Sequence, residues 1–484
     1  MRDETAKSVA AGRRRPASAA VLTGLAIALV AAVALVVFPY TAPVEGVQDR
    51  AARSRPDPGV TGSGQVARPA GTAASERAAV ARDLLAARSA ALGSGDAEQW
   101  TSTVDPQASD FAARQDALFA TLTALPRASW TYTYAGEGPA LTPARARDLG
   151  GDAFIARVRL GYRLDPADER EVRRDQFLTL ARRDGRWLVA GDDDAAGLTR
   201  STQPDPWDLG AVVLARGRSS LVLARPGQVG LSATEITRLA DRAVEQVKER
   251  WPGPWPQHVV VIVPADVAEM ARLIRAGTAA GSASGLDRVA GLAQIAAVTT
   301  GQPTGEPGGV TTGNRIVVNP TAFARLTEAG RQVVLTHEST HVATRTLAGG
   351  PVPTWLAEGF ADYVAFRATD LDVEEVAGDA LARIRVDAAP VRLPGEAEFD
   401  ASRGPVSASY SWAWLAARHI ARTHGEAGLV EFYRTAAAGP PGDRAGAAAV
   451  AFREVLGTSE AQFVAAWRRS LLDLAPRSGM ESER

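Results

Sequence analysis

Two histidines and a glutamate form an H-E-x-x-H motif in the second half of this 484-residue chain. His337 and His341 are four residues apart, so on a helix both imidazoles lie on one face and can bind one metal ion. Glu338 projects at a neighbouring angle, where its carboxylate can meet a metal-bound water without binding the metal. The spacing therefore predicts a zinc site at which the metal lowers the pKa of water to about 7 and Glu338 takes the proton.

A second segment, from Trp355 to Tyr363, supplies two more carboxylates in apolar surroundings. Catalytic zinc has three protein ligands and one open position for water, so Glu358 is the predicted third ligand. Asp362 lies one helical turn further on and can accept the outer N–H of a ligand histidine. Three alternatives stay open: the histidines are polar residues of a surface helix, Glu358 is a capping or ion-pair residue, or the site binds metal without catalysis.

The segment from Val334 to Val364 resembles the gluzincin clan of zinc peptidases, which includes thermolysin-like, aminopeptidase N-like and peptidase MA-like proteins. In that clan, H-E-x-x-H on one helix is followed by a glutamate ligand on the next. The resemblance implies Zn²⁺ bound by His337, His341 and Glu358. It also implies that Glu338 is the base and that Asp362 is the aspartate beside the ligands. The chain has no upstream Gly-x-Met-Glu-Asn motif, so the resemblance does not extend to aminopeptidase activity.

Amide hydrolysis also needs a donor for the oxyanion that forms in the transition state. Tyr410 opens a segment that is similar to the tyrosine-led helix of aminopeptidase N-like and peptidase MA-like proteins, and we take it as the predicted donor. The alternative is a tyrosine that only packs against its own helical turn. His419 and His424 are the fallback donors, although both are better suited to a helix surface or C-terminal end.

The N-terminal region predicts where the site is located. Residues 17–38 carry no charge and are long enough to span a bilayer, and three arginines, 13–15, precede them. We therefore expect a single-pass membrane helix with residues 1–16 in the cytoplasm and the catalytic part outside. A signal peptide cleaved near Thr41, which would release a secreted protein, is the alternative. Residues 39–74 are rich in Pro, Gly, Ser and Ala and are predicted to be a flexible linker.

Residues 75–200 are predicted to be a small α+β domain. Ser75 is a candidate N-cap for a first helix, and residues 108–125 are a second helical stretch. The apolar stripe predicted for the first helix consists of Ala79, Val80, Leu84 and Ala87. Alternating segments at 130–134, 154–164, 171–180 and 187–190 predict strands, the last two joined by a hairpin turn at Asp184-Gly185. Helices followed by an antiparallel meander resemble the nuclear-transport-factor-2-like cone. The simplest role for this domain is a spacer or docking module. A ligand-binding pocket is the alternative, although no cluster of polar residues marks one.

Residues 207–475 are predicted to form a gluzincin-like α+β catalytic domain that ends in a helical part. Ser232 caps a helix whose stripe is Ile236, Leu239, Ala240, Ala243, Val244 and Val247. Residues 258–263 and 314–319 predict strands, and residues 277–313 predict a loop. By resemblance to gluzincins, strand 314–319 is expected to be the sheet edge that pairs with an extended substrate. Residues 476–484 are a polar tail.

Composition limits the remaining possibilities. The formal net charge is −1, which gives no electrostatic footprint for nucleic acid. The chain has no cysteine, which excludes disulfides and a cysteine-bound metal. We expect a membrane-anchored extracytoplasmic zinc metallopeptidase acting on a peptide or protein substrate. The rival is an envelope protein, a scaffold or partner-binding component, that holds metal without catalysis. No feature of the sequence specifies an oligomeric state.

Overall fold

The structure is a computed structural model that describes residues 70–196, 202–227, 230, 232–274, 295–303, 311–345, 352–400, 405–440 and 443–476. The predicted cytoplasmic segment, the predicted membrane helix at 17–38 and the predicted linker up to residue 69 lie outside these residues. Within the described part of the chain, every helix is too short or too polar to cross a bilayer.

The described chain starts with helices and continues into a four-stranded antiparallel sheet, in which each strand pairs with the next. The elements are α1 (Ala70–Ser94), α2 (Ala97–Thr101), α3 (Ser109–Ala124), β1 (Arg127–Glu137), α4 (Pro143–Asp148), β2 (Ala153–Leu164), β3 (Val172–Arg183) and β4 (Arg186–Gly191). The predicted mixture of helices and strands is therefore confirmed. Helix α1 begins before the predicted cap Ser75, because the alanines upstream have high helix propensity.

Helix α1 buries a stripe one residue away from the predicted one. The predicted members are exposed or only half-buried: Ala79, Val80, Leu84 and Ala87. The buried members are Ala81, Leu85, Arg88, Ala91 and Leu92. The prediction fails because the buried stripe contains Arg88, and a charged residue normally indicates an exposed helix face. Its guanidinium has partners inside the core: Nη1 and Nη2 donate to Thr103 and Gln115 at 2.9 and 2.5 Å, and the group lies 3.7 Å from the centre of the Trp100 ring.

The predicted hairpin between β3 and β4 is confirmed. Asp184 and Gly185 both adopt positive φ, 48° and 84°, which a two-residue type I′ turn requires. The pairing of Arg183 with Arg186 closes the ladder at this turn.

A second, five-stranded sheet forms the centre of the remaining chain. Its elements and neighbouring helices are β5 (Val213–Arg216), β6 (Ser220–Ala224), α5 (Ala233–Arg250), β7 (Val259–Val263), α6 (Val267–Ile274), β8 (Ala297–Pro303) and β9 (Thr311–Val318). The strand order is β5-β6-β7-β9-β8, with β6, β7 and β9 parallel and the two outer strands antiparallel to their neighbours. The predicted stripe of α5 is buried as expected.

The prediction that residues 314–319 form the sheet edge is wrong. Strand β9, which contains residues 314–318, lies between β7 and β8, so the edge beside it is β8. Strand β8 falls inside residues 277–313, which the sequence predicts to be a loop. The run Val298-Thr299-Thr300 is β-branched and has strand propensity, but the Gly- and Thr-rich composition around it is also typical of loops.

The two faces of the five-stranded sheet bury different parts of the protein. Alternate residues such as Val261 and Ile316 pack with the helices that follow the sheet, in one core. The residues between them, such as Ile262 and Val317, share a second core with aromatic residues of the first sheet and its surroundings: Trp130, Tyr162 and Trp207. The N-terminal α+β part therefore covers one face of this sheet.

A buried ion pair joins the two sheets. Arg315 of β9 donates through Nη1 and Nη2 to the two carboxylate oxygens of Asp168, both at 2.7 Å, and the side chains are 4% and 1% exposed. Asp168 also accepts from the backbone N–H of Leu164 at 2.9 Å. Burial opposes the charged guanidinium, but the charge and hydrogen bonds of Asp168, together with Tyr162 and Asp205, outweigh burial and raise the pKa of Arg315. The pair therefore fixes the position of β9, next to the edge strand.

Replacing Asp168 with alanine is expected to destabilise the protein by about 3–5 kcal/mol, because it leaves the Arg315 charge buried without a partner. Urea unfolding followed by tryptophan fluorescence measures the loss. Asp152→Ala is the matched control, since Asp152 pairs with Arg182 at the surface at 3.6 Å and both side chains are half exposed. That change is expected to cost less than about 1 kcal/mol. Equal midpoints for the two variants would contradict a structural role for the buried pair.

The rest of the described chain is helical, as predicted. The helices are α7 (Pro320–Arg325), α8 (Glu328–Thr344), α9 (Thr354–Arg367), α10 (Val373–Val386), α11 (Ser407–Ala437), α12 (Arg444–Glu454) and α13 (Glu460–Leu474). Helix α11 is interrupted at Gly425, whose φ is 78°. Gly359 lets α9 and α11 approach closely, because a β-carbon at this position would collide with the carbonyl group of Ala413.

Candidate metal centre

Helix α8 carries the H-E-x-x-H motif inside the core. It begins after Thr327, whose side chain caps the N–H of Gly330 at 3.1 Å, and its residues from Gln332 to Thr344 are all buried. Polar residues in such a helix need internal partners, and Thr336 and Thr340 donate to backbone carbonyls one turn earlier, each at 2.8 Å. His337 and His341 are 1% and 3% exposed, so they are not residues of a surface helix.

Helix α9 brings the two predicted carboxylates to the same place. Glu358 and Asp362 lie one turn apart and are 0% and 4% exposed. A fully buried glutamate cannot be an ordinary surface capping residue, since a buried carboxylate needs a counter-charge or a metal. The close approach of α11 at Gly359 holds this helix against the core beside the motif.

Three potential ligand atoms form a compact triangle. His337 Nε2 and His341 Nε2 are 3.0 Å apart, and Glu358 Oε2 lies 3.2 Å from the first and 3.6 Å from the second. Ligand atoms about 2.0–2.2 Å from a tetrahedral zinc ion are about 3.3–3.5 Å from one another. The triangle therefore has the size of one face of such a coordination shell. In the described part of the chain, it is the one cluster of His, Cys, Asp and Glu residues with metal-ligand spacing.

Asp362 sets the orientation of His337. The Asp362 carboxylate accepts from His337 Nδ1 at 2.8 Å, which leaves a lone pair on Nε2 when the imidazole is neutral. Burial alone disfavours the charged imidazole, but Asp362, followed by Glu358, outweighs it and raises the pKa of His337 well above its ordinary value. Because a metal ion binds the neutral imidazole, metal binding at His337 competes with its protonation.

Glu358 is held in its charged form. Burial alone would raise its pKa, but His341 and His337 outweigh burial and bring the pKa of Glu358 down to about 2. Within the described residues, neither of its oxygens has a hydrogen bond of proper geometry. Buried acceptors are normally satisfied, so two unsatisfied oxygens on a buried anion suit a bound cation.

Glu338 lies beside the triangle without belonging to it. Its Oε2 accepts from the hydroxyl of Thr299 on strand β8 at 2.5 Å, whereas its Oε1 is buried and has no hydrogen-bond partner among the described residues. The carboxylate therefore has one fixed oxygen and one that is free to accept a proton from a water molecule. This geometry fits the predicted base.

The three candidate donors to the oxyanion, which are Tyr410 and the fallback residues His419 and His424, have different surroundings. Tyr410 is in the first turn of α11 and is 1% exposed, with its ring edge-on to Phe399 at a centroid distance of 5.3 Å. His419 contacts Ser470 and the Phe463 ring of helix α13. His424 is exposed and contacts the neighbouring Thr423. The assignment of Tyr410 as the oxyanion donor stays a prediction.

Three residues near the site have no signal in the sequence pattern. Thr299 contacts Glu338 from strand β8, in the segment predicted to be a loop. Arg345, just after α8, donates to the backbone carbonyl of Thr299 at 2.6 Å. Burial lowers the pKa of Arg345, although the charges of Glu338 and Glu358 partly oppose that effect.

Tyr433 is the third unexpected neighbour. Burial raises its pKa to about 12, Thr344 and Arg345 partly oppose this, and the charge of Glu358 adds to it. The Tyr433 hydroxyl therefore stays protonated at neutral pH and lies within the electrostatic reach of the candidate metal ligands.

Comparisons of the chain with models of known protein families and with curated proteins give no match. The geometry of the site indicates its chemistry. The two imidazole nitrogens and the Glu358 carboxylate oxygen can hold a divalent metal ion, and the unsatisfied carboxylate of Glu338 can accept a proton from water.

Proposed function

We propose that this protein is a zinc metallopeptidase that hydrolyses peptide bonds with activated water. The observation that carries the proposal is the ligand-sized triangle of His337, His341 and Glu358, together with the buried and unsatisfied Oε1 of Glu338, the residue next to His337. A site that only stabilised the fold would have no need for a base next to an open coordination position.

The roles of the residues follow from their contacts. A bound zinc ion would supply Lewis acidity and lower the pKa of water to about 7. Glu338 accepts the proton of the attacking water at Oε1 and can return it to the leaving amine. Asp362 holds His337 in the tautomer that presents Nε2 to the metal. Tyr410 is proposed to donate to the oxyanion.

The open edge of strand β8 is the proposed binding place for an extended peptide or protein substrate. Strand β8 contacts the base directly through Thr299, and its outer side carries no neighbouring strand in the described sheet. Main-chain pairing to such an edge provides affinity with little dependence on the side chains of the peptide. The strand proposed to pair with the substrate is therefore β8, and not β9 as the sequence predicts.

Fold family and location are part of the same proposal. Helices α8 and α9 on a sheet with an antiparallel edge strand support a gluzincin-like catalytic domain. The helices and meander of residues 70–191 support a nuclear-transport-factor-2-like unit. Residues 17–38 are proposed to anchor the protein in the cell membrane, with the site on the extracytoplasmic side.

Zinc content and peptide cleavage test the proposal together. Residues 45–484 are purified, loaded with zinc and incubated with a mixed peptide library, and the products are identified by mass spectrometry. We expect one zinc per chain and cleavage that a chelator abolishes and added zinc restores. One zinc per chain without any cleavage would instead support the metal-holding scaffold, and no zinc would contradict both.

A further inference from the structure

Thr299 contacts the proposed base from another part of the chain. Its side chain is 2% exposed, and its hydroxyl lies 2.5 Å from Glu338 Oε2 and 3.1 Å from the backbone carbonyl oxygen of the same residue. A hydroxyl has one proton, and the shorter contact goes to the charged acceptor. Among the described residues, this is the hydrogen bond that fixes the Glu338 carboxylate.

The backbone of Thr299 is fixed as well. The N–H of Asn319 donates to the carbonyl of Ala296 at 2.8 Å, which makes these two residues a hydrogen-bonded pair of the β8–β9 ladder. Pairs alternate along an antiparallel ladder, so Thr299 and Ile316, three steps further on, form a non-hydrogen-bonded pair. The N–H and C=O of Thr299 therefore point away from β9, toward the open edge.

Arg345 holds this outward carbonyl. Its Nη1 donates to the carbonyl oxygen of Thr299 at 2.6 Å. Arg345 directly follows helix α8, which carries Glu338. Thr299 of β8 therefore makes two hydrogen bonds with this part of the chain, one from its hydroxyl to Glu338 and one from Arg345 to its carbonyl oxygen. Thr299 thus connects the proposed base to the strand along which the substrate is proposed to bind.

We propose that Thr299 is the positioning residue of the catalytic base, an inference that rests on the proposed function. Its hydroxyl occupies Glu338 Oε2 and leaves the other oxygen, Oε1, as the one without a hydrogen-bond partner among the described residues. Without the hydroxyl, both carboxylate oxygens are unsatisfied and the group can rotate about its last torsion, which is broad for glutamate. The hydrogen bond therefore selects one orientation of the Glu338 carboxylate, in which Oε1 stays available to accept a proton.

Valine is the variant that isolates this effect. Valine has the shape of threonine and a high strand propensity, so Thr299→Val is expected to fold and keep the packing of β8. Thr299→Ser restores the hydroxyl on a smaller side chain. Thr133→Val is the matched control, because Thr133 is an exposed strand residue of β1 in the first sheet and takes no part in the proposed site.

The test combines kinetics with a structure. For Thr299→Val we expect unchanged zinc content, a KM within about twofold of the wild type and a kcat lower by about 10- to 100-fold. Thr299→Ser should recover most of the rate, and Thr133→Val should match the wild type. A crystal structure of Thr299→Val should show the Glu338 carboxylate rotated or spread over several positions.

The outcomes separate this inference from the proposed function. A wild-type protein without peptidase activity would defeat the proposed function, and the crystal structure of Thr299→Val would still decide whether Thr299 orients Glu338. A Glu338 carboxylate in its original position would overturn the positioning role. With an active wild type, an undiminished kcat in Thr299→Val, or a serine variant as slow as the valine variant, would overturn it as well.

Discussion

Glu338→Gln is expected to keep one zinc per chain and to lose about 10²- to 10⁴-fold in kcat, the usual contribution of a general base. Glutamine has the same shape and can still accept the hydrogen bond from Thr299 through its amide oxygen. Its other terminal atom is an NH₂ group, which cannot take a proton from water. Steady-state hydrolysis of a peptide identified as a substrate measures the rate, and elemental analysis measures the zinc.

Glu328→Gln is the matched control for this experiment. Glu328 lies in the first turn of the same helix, and its exposed carboxylate contacts Arg238 at 2.8 Å. The same chemical change there is expected to leave both kcat and zinc content unaltered. A Glu338→Gln variant as active as the wild type would show that another group takes the proton.

His341→Ala is expected to lose zinc, because it removes one of three protein ligands and leaves two. Asp362→Asn should be milder, with metal affinity reduced by about 10- to 100-fold, since it weakens only the orientation of His337. Titration of the metal-free proteins with zinc, in competition with a chelating dye, gives the two affinities. Zinc should also raise the melting temperature of the wild type but not that of His341→Ala.

His424→Ala is the control for the histidine substitution. His424 is exposed on helix α11 and contacts Thr423, so its removal should leave the zinc affinity unchanged. Equal affinities for His341→Ala and the wild type would mean that zinc binds elsewhere. An Asp362→Asn variant that is weaker than His341→Ala would mean that Asp362 is itself a ligand.

The sequence predicts the parts of the site that depend on local geometry. His337 and His341 are four residues apart on one helix, and Glu358 and Asp362 are four residues apart on another, so helical periodicity alone aligns each pair. The structure brings both pairs together, with the donor set and the Asp362 contact where they were expected.

Contacts between distant segments are not visible in periodicity. Thr299 and Glu338 are 39 positions apart, and a threonine in a Gly- and Thr-rich segment carries no sign of its partner. The order of β8 and β9 is of the same kind, because the sequence predicts β9 but neither the strand at β8 nor its position outside β9.

The buried faces of the helices also divide into those that the local sequence pattern predicts and those that depend on tertiary contacts. The stripe of α5 could be predicted because every buried position is apolar or small and the exposed face is charged. The stripe of α1 could not, because an alanine-rich helix offers several weak stripes and the correct one contains Arg88. Its acceptors Thr103 and Gln115 come from elsewhere in the chain, so only the tertiary structure makes that burial favourable.

The most direct test of the zinc site is a crystal structure with diffraction data collected at the zinc absorption edge. We expect one anomalous peak about 2.0–2.2 Å from His337 Nε2, His341 Nε2 and a Glu358 carboxylate oxygen, with Glu338 outside bonding distance. No peak at these residues after soaking with zinc, or a peak bound by other side chains, would contradict a zinc site formed by His337, His341 and Glu358.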